Sequence, residues 1–449
     1  MNILILNGSP KGKYSITLQT CMFLVKHHPE HHFETLHVGQ KIRSIAYDFS
    51  EAAEMLSRAD FILFSYPVYT FLAPSQLHRF IALLKEHPDL LQGKWATQIT
   101  TSKHFYDTTA HRCIEQNCLD LGLRTLKGLS ADMDDLLSER GQHEALAFFD
   151  FKLWEIANHH HLPFPAQRSP FAGIAPAIAA LSAPRSGKRI ALVADLQDGD
   201  AALKALIDLF RQRMPYQVDV VNIGKFDFKG GCISCFHCSA DGHCIYNDGF
   251  EDLLRKQIQT ADATVYAFTI QDHSMGWRFK TYDDRQFCNG HRTVTMGKPT
   301  GYLVSGPYAE EHNLQTVIEG RAQVGGNYLC GVATNEQNPN EEVERLCQTL
   351  VYALDHHYRQ PANFLGVGGM KIFRDLIYLM RGLMRADHRF FKSHGQYDFP
   401  QKRRLTSWKM YLVGWLMNNK RLRAKMGNKI NEGMIAPYKK VLDKQIPPK

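Results

Sequence analysis

Ile3, Leu4, Ile5 and Leu6 form an unbroken apolar run that stops at a turn rich in Gly, Ser, Pro and Lys. A short apolar run closed by a turn is the pattern of a strand buried on both faces. A helical pattern starts at about Ser15. Further strands are expected at Phe33–Val38, Phe61–Pro67 and Trp95–Thr101, with helical patterns between them, for example Pro74–Lys85 and Thr108–Leu121. Strands alternating with helices predict an α/β fold with a doubly wound parallel sheet. The alternation ends near His161. The segment HLPFPAQRSPFAGIAPAIAALSAPRSGK follows and reads as a linker that packs in part, its Ala/Ile stretch being able to form a short helix.

The pattern then begins again. IALVAD (190–195) matches ILILNG (3–8) at an offset of 187 residues, ADATVYAFTI (261–270) matches ADFILFSYPV (59–68) at 202, and GKPTGYLVSG (297–306) matches GKWATQITTS (93–102) at 204. Three matches in one order point to an internal duplication rather than to the chance similarity of two α/β units. The first two offsets differ by 15 residues, about the length of a cysteine-rich stretch in the second copy. The expected organisation is a first unit over 1–161, a linker over 162–187, a second unit with an inserted cysteine loop over 188–360, and a helical extension over 361–449.

Composition adds limits. The chain has 449 residues, 44% hydrophobic and 22% charged, enough to bury a core without disulfides. The start, MNILILNGSPKG, lacks the features of a secretory signal, and no apolar run of about 18 residues occurs. The cytoplasm is therefore the expected location, where clustered cysteines serve as metal ligands or redox groups. The net charge of +8 is uneven: residues 361–449 hold 19 of the 53 Lys and Arg but 5 of the 45 Asp and Glu, so +14 lies on the tail and −6 on the rest. An acidic body argues against a nucleic-acid-binding core.

The turn NGSPKGKYSIT (7–17) sits where the first strand ends and a helix opens, the place where open α/β sheets bind ligands. Helix N-terminal amides favour an anion there. Ser9, Ser15 and Thr17 add hydroxyls, and Lys11 and Lys13 add charge. Neither Gly-x-Gly-x-x-Gly nor a Walker motif is present, so a monophosphate fits better than a dinucleotide or a nucleoside triphosphate. Together with SYPVYTFLAPSQLHRFI (65–81) and GKWATQITTS, this turn resembles the flavodoxin-like, NAD(P)H-dependent FMN reductase family over most of residues 1–130. The resemblance implies a flavodoxin-like fold for both units and an FMN phosphate on the first loop. It further implies an isoalloxazine ring bordered by Pro67, Val68, Tyr69, Thr70 and Phe71, and a loop from Thr101 and Ser102 to His104 on the ring's other side. Ile16 stands where the family usually has Asn. A flavodoxin-like unit that has lost its flavin is the plain alternative. His104 or Tyr69 can serve as a proton donor or as a wall residue. His27, His28, His31, His32 and His159–His161 read as solvated surface.

The equivalent turn of the second unit, ADLQDGDAALK (194–204), has no hydroxyl residue, and Asp195, Asp198 and Asp200 oppose a phosphate. FMN in the usual manner is not expected there. Trp277 and Phe279 are candidates to cover a flavin held by the first unit. The second unit carries instead Cys232, Cys235, Cys238 and Cys244, spaced C-x2-C-x2-C-x5-C. Gly230, Gly231 and Gly242 allow the backbone to wrap. Four thiolates suit a 4Fe–4S cluster, suit tetrahedral zinc, or remain thiols; the compact run favours iron–sulfur, since zinc motifs more often come as two separated pairs. The run resembles that of the iron–sulfur flavoproteins, which implies dimers in which one subunit's cluster lies near the neighbour's flavin. This chain then reads as such a pair joined covalently. The other six cysteines read as small buried hydrophobes.

The tail reads as helices. In RRLTSWKMYLVGWLMNNKRLRAKM the apolar residues Trp408, Tyr411, Leu412, Trp415 and Leu416 face one side, flanked by Lys and Arg, a basic amphipathic pattern that suits an anionic membrane surface, an acidic partner such as ferredoxin, or packing on the body or on another subunit. The functional expectation is an FMN and iron–sulfur oxidoreductase linked to NAD(P)H or ferredoxin. The alternatives are a plain NAD(P)H-dependent FMN or quinone reductase without a cluster, and a non-catalytic electron carrier or membrane-associated binding protein.

Overall fold

The computed structural model describes residues 1–103, 106–165, 171–176, 185–417 and 421. The expected short helix of the linker and His104 lie outside the described residues. By compactness the chain divides into Met1–Phe390 and Phe391–Lys449.

The first sheet is built from β1 (Asn2–Asn7), β2 (His32–Leu36), β3 (Phe61–Pro67), β4 (Trp95–Ser102), and the short β5 (Arg124–Thr125) and β6 (Leu129–Asp132). Its order is β2-β1-β3-β4-β5, with β6 also on β4, and every pairing is parallel. The helices are α1 (Ile16–His27), α2 (Val38–Tyr47), α3 (Ser50–Arg58), α4 (Ser75–Lys85), α5 (Thr108–Asp120) and α6 (Glu139–Ala157). Successive side chains of a strand point to opposite faces. Ile3 and Ile5 therefore join Leu18, Cys21 and Leu24 of α1 and Phe149 of α6. Leu4 and Leu6 meet Leu77, Phe80 and Ile81 of α4 on the other side. Both faces are covered, which explains the unbroken apolar run. α6 also corrects the reading of the histidines. His27, His32 and His159–His161 are exposed, but His28 is buried where α1 meets α6, its ring 4.8 Å from that of Phe149.

The second sheet has β7 (Arg185–Ala194), β8 (Tyr216–Asn222), β9 (Ala263–Thr269), β10 (Pro299–Ser305) and β11 (Tyr328–Thr334). Its order, β8-β7-β9-β10-β11, repeats that of the first sheet, and all pairings are parallel. The helices are α7 (Ala201–Arg213), the single turn α8 (His237–Ala240), α9 (Phe250–Asp252) continued in wider turns to Ile258, α10 (Gly276–Arg285), α11 (His312–Val324) and α12 (Pro339–Asp355). The three sequence pairs quoted above lie on β1 and β7, β3 and β9, and β4 and β10. α13 (Phe364–Leu379) packs on α11, and α14 (Arg385–Ser393) and α15 (Arg404–Met417) follow.

The two sheets meet through corresponding helices: α4 packs on α10, and α5 on α11. Like-on-like contact is the signature of a two-fold interface, here within one chain. Phe71, Leu72 and Cys113 of the first half share a core with Phe279, Tyr282, Val317 and Ile318 of the second. After β3 and after β9 the chain makes the same tight turn, Tyr69–Leu72 and Gln271–Ser274, each closed by two backbone hydrogen bonds of 2.7–3.1 Å. Thr70, Phe71, Asp272 and His273 all have left-handed φ values of 47–71° without being glycine. The strain belongs to the shared turn, since it recurs in the second half.

His273 closes this interface. Its Nε2 lies 2.8 Å from Asp120 of the first half and its Nδ1 2.9 Å from Glu311 of the second. Burial opposes its charge, but the hydrogen bonds and charges of the two carboxylates win and raise it from 6.5 to about 9. A raised value means stabilisation that is complete below the ordinary imidazole range and is lost as pH climbs through about 9. The ceiling on this contribution is on the order of 3 kcal/mol. His273→Gln should lower stability at neutral pH and flatten its decline on the alkaline side, measured by urea unfolding across pH. A wild-type-like alkaline decline in the variant would assign it to other groups.

Candidate functional site

One cavity of about 450 Å³ gathers the residues singled out in the sequence. Ser9, Lys11, Ser15, Thr17, Pro67, Val68, Tyr69, Thr70, Phe71, Thr101 and Ser102 line it, and so do Cys232, Cys235, Cys238 and Cys244. Its size suits a cofactor or a flat ring system. The first half supplies one wall and the cysteine loop the other.

The phosphate-loop side is held by local bonds. Ser15 caps α1, its Oγ accepting from Leu18 N at 3.3 Å, so the helix N-terminus opens at the cavity. Ser9 Oγ accepts from Lys11 N at 3.3 Å. Thr17 and Thr101 join hydroxyls at 2.6 Å across the strand ends. Ser102 Oγ is buried, lines the cavity and has no partner of its own. The orphaned Ser102 hydroxyl, the O–H groups of Ser9 and Ser15, whose oxygens accept from the backbone but whose protons stay available, and Lys11 form a donor set beside a helix N-terminus that fits a flavin phosphate and its polyol. Ile16 also lines the cavity and adds no polar group.

The ring-loop side is fixed from the second half. Lys280, fully buried, donates to the carbonyl of Tyr69 at 3.0 Å and is paired with Asp283 at 3.2 Å and with Asp284. Asp284 in turn accepts from Ser75 N at 2.7 Å, the first residue of α4. Burial raises Asp284 to about 6, against the pull of Lys280. Phe71 borders the cavity and is buried in the shared core, where a Cβ at Gly320 would stand 2.9 Å from its ring.

The cysteine loop reaches across. Gln76 Nε2 donates to Cys232 O at 3.2 Å, and Arg43 reaches the carbonyls of Phe228 and Lys229. A Cβ at Gly231 would stand 2.5 Å from Ser75 Oγ, so a side chain there would displace Ser75 and Gln76. Ser234 and Phe236, on either side of Cys235, both take left-handed φ values, 53° and 64°. The loop therefore wraps more sharply than its glycines alone foretold. Lys11 Nζ lies 5.0 Å from the ring centre of Phe236. Burial lowers the Lys11 ammonium, while Cys232 and Cys235 pull it upward, so the phosphate loop and the thiols share one field. Burial pushes Cys238 up to about 11 and also raises Cys232.

Among the described residues no group of three or more His, Cys, Asp or Glu is placed to hold a metal ion. A tetrahedral zinc site with Zn–S near 2.3 Å draws its sulfurs to within roughly 4 Å of one another. The four cysteines share the cavity without such a closed arrangement.

Two expectations are corrected. Trp277 and Phe279 do not line the cavity: Trp277 lies between Arg79 and Arg278, at 4.4 and 4.9 Å, and Phe279 packs with Phe268 and Tyr282 in the core. Beyond the first half the aromatic lining comes instead from Phe236, Tyr246, Phe287 and Phe373. Cys288, expected to be a core residue only, is buried and also lines the cavity, its thiol pushed up to about 12 by burial. His291 was not foreseen either. It lines the cavity with Nδ1 3.1 Å from the fully buried carboxylate of Asp387. No short-range pattern joins His291 to Asp387, 96 residues away.

Residues 1–130 match the family model described as a flavodoxin-like fold. This part of the chain is flavodoxin-like. The flavodoxin-like segment contains the phosphate loop, the ring loop and the loop after β4. An iron-sulfur flavoprotein of Archaeoglobus fulgidus is 25% identical over 205 residues, which cover 44% of this chain and 90% of that protein. Among solved structures, an FMN-dependent NADH-azoreductase from Bacillus anthracis in complex with FMN is 15% identical, with a TM-score of 0.28, covering 35% of this chain and 99% of that one. An NAD(P)H:quinone oxidoreductase from Methanothermobacter marburgensis is 14% identical, with a TM-score of 0.29, covering 36% and 99%.

Lys280→Met should cost about 3–5 kcal/mol, because it leaves Asp284 charged or orphaned in the core and frees the Tyr69 carbonyl. The urea midpoint reads this directly. A loss below about 1 kcal/mol would show that the buried ion pair does not order the contact between the halves.

Proposed function

We infer that this chain is an FMN-dependent oxidoreductase that takes electrons from NAD(P)H and carries a 4Fe–4S cluster on the cysteine loop. One observation carries the reading: the phosphate-loop residues of the first half and all four clustered cysteines of the second line the same cavity. The iron–sulfur flavoprotein relative supports the pairing of the two groups. FMN supplies both hydride and single-electron transfer, and a cluster supplies single-electron transfer.

The chain's own residues have separable tasks. Ser9, Ser15, Thr17 and Lys11 hold the phosphate. Tyr69 to Phe71 and Phe287 enclose the ring and exclude water; Tyr69 and Phe287 meet edge to face at 5.7 Å. Cys232, Cys235, Cys238 and Cys244 would hold the cluster as thiolates, and burial, which raises the Cys232 and Cys238 thiols, would make their deprotonation depend on the iron. His291, oriented through Nδ1 by Asp387, keeps Nε2 for passing a proton to a reduced substrate. The cavity's arginines are engaged already: Arg285 with Asp248, Arg321 with Asp283, and Arg292 with the carbonyl of Cys288. A neutral ring such as a quinone suits such a wall better than an anion does.

The raised thiols of Cys232 and Cys238 favour a second reading, a plain NAD(P)H-dependent FMN or quinone reductase whose cysteines stay protonated. Paired variants separate the two. Lys11→Glu should weaken FMN retention at least about tenfold through charge repulsion at the phosphate and leave iron content unchanged. Cys235→Ser should remove the broad visible absorbance of a cluster and leave FMN in place. Absence of iron from the wild-type chain purified without oxygen would favour the plain reductase, and absence of flavin as well would leave only a scaffold.

A further inference from the structure

α15 belongs to Phe391–Lys449 and carries a run of large apolar side chains. Leu405, Trp408, Met410, Tyr411, Leu412 and Trp415 are all exposed, Trp408 by 67% and Trp415 by 71%. At about 100° per residue Leu405, Trp408, Tyr411, Leu412 and Trp415 fall within about 120° of the helix circumference, and Met410 lies outside that face. One exposed face of large apolar and aromatic side chains between cationic ends is the pattern of a helix that lies in a membrane interface. At 14 residues it is too short to span a bilayer, and no described helix is long and apolar enough to cross a membrane.

Its flanks are strongly basic. Between Asp398 and Glu432 the sequence has nine Lys or Arg and no acidic residue, with Lys402, Arg403 and Arg404 before the apolar stretch and Lys420 and Arg421 after it. Two tryptophans and a tyrosine between cationic ends are what the headgroup boundary of a bilayer selects: the rings lie at the boundary and the cations meet anionic headgroups. We propose that α15 anchors the protein by lying in the surface of an anionic lipid membrane. The flavin and cysteine site plays no part in this inference, so either can fail without the other.

The test is co-sedimentation of the full chain with vesicles of phosphatidylcholine alone and of phosphatidylcholine mixed with phosphatidylserine. The chain should bind the mixed vesicles at low salt, at least about tenfold more tightly than the neutral ones, and lose that advantage at high salt. The double variant Trp408→Glu/Trp415→Glu should lose at least about tenfold in binding while keeping the wild-type circular-dichroism spectrum and thermal midpoint, because both residues are exposed. A second variant, Arg403→Glu/Arg404→Glu, should weaken binding only to the mixed vesicles. The proposal is overturned if the chain stays in solution with anionic vesicles at low salt, or if the tryptophan variant binds them as the wild type does. Saturable binding of α15 to an acidic ferredoxin-type protein, with no vesicle binding, would also overturn it.

Discussion

The architecture turns on the buried ammonium of Lys280. It stands in the contact between two parallel sheets, neutralises Asp283 and Asp284 of its own helix, and donates to the Tyr69 carbonyl of the opposite half. Asp284 passes the connection on to the first amide of α4. A buried charge is tolerated only where its partners are complete, so this network admits one relative placement of the halves. The same atoms fix the strained turn that borders the cavity, and fold and site therefore share one constraint.

From that placement the cavity follows. α4 against α10 and α5 against α11 bring the phosphate loop opposite the cysteine loop, at a distance that lets Lys11 lie over Phe236. In a symmetric pair both halves would carry both features. Here the second half has acidic residues where a phosphate loop would be: Asp195 is bonded to Gln197 at 2.5 Å, and Asp200 caps α7 and accepts from Thr269 at 2.5 Å. Those carboxylates serve the fold locally. Because of this asymmetry, the donors of the turn at 7–17 and the clustered thiols meet across one cavity from opposite halves.

Much of this was legible in the sequence because it is local. The apolar runs of β1, β3 and β4, the turn at 7–17 and the spacing of the four cysteines each lie within a short window. The repeated offsets anticipated the equal strand orders. What escaped depends on distant contacts. Phe279 carries the same apolar signal whether it covers a cavity or fills a core, and its neighbours Phe268 and Tyr282 decided for the core. Cys288 and His291 look ordinary in their windows and become site residues only because the second half folds round the cysteine loop. The half-buried turn residues Thr70 and Asp272 gave no glycine signal of their left-handed backbone.

The central claim is that one flavin and one cluster occupy a cavity shared by the two halves of a single chain. The most direct measurement is cofactor stoichiometry on the full-length protein purified without oxygen, taking FMN, iron, acid-labile sulfide and zinc from one sample. The account predicts one FMN and one four-iron, four-sulfide cluster per chain. Two FMN per chain, or zinc in place of iron and sulfide, would contradict it.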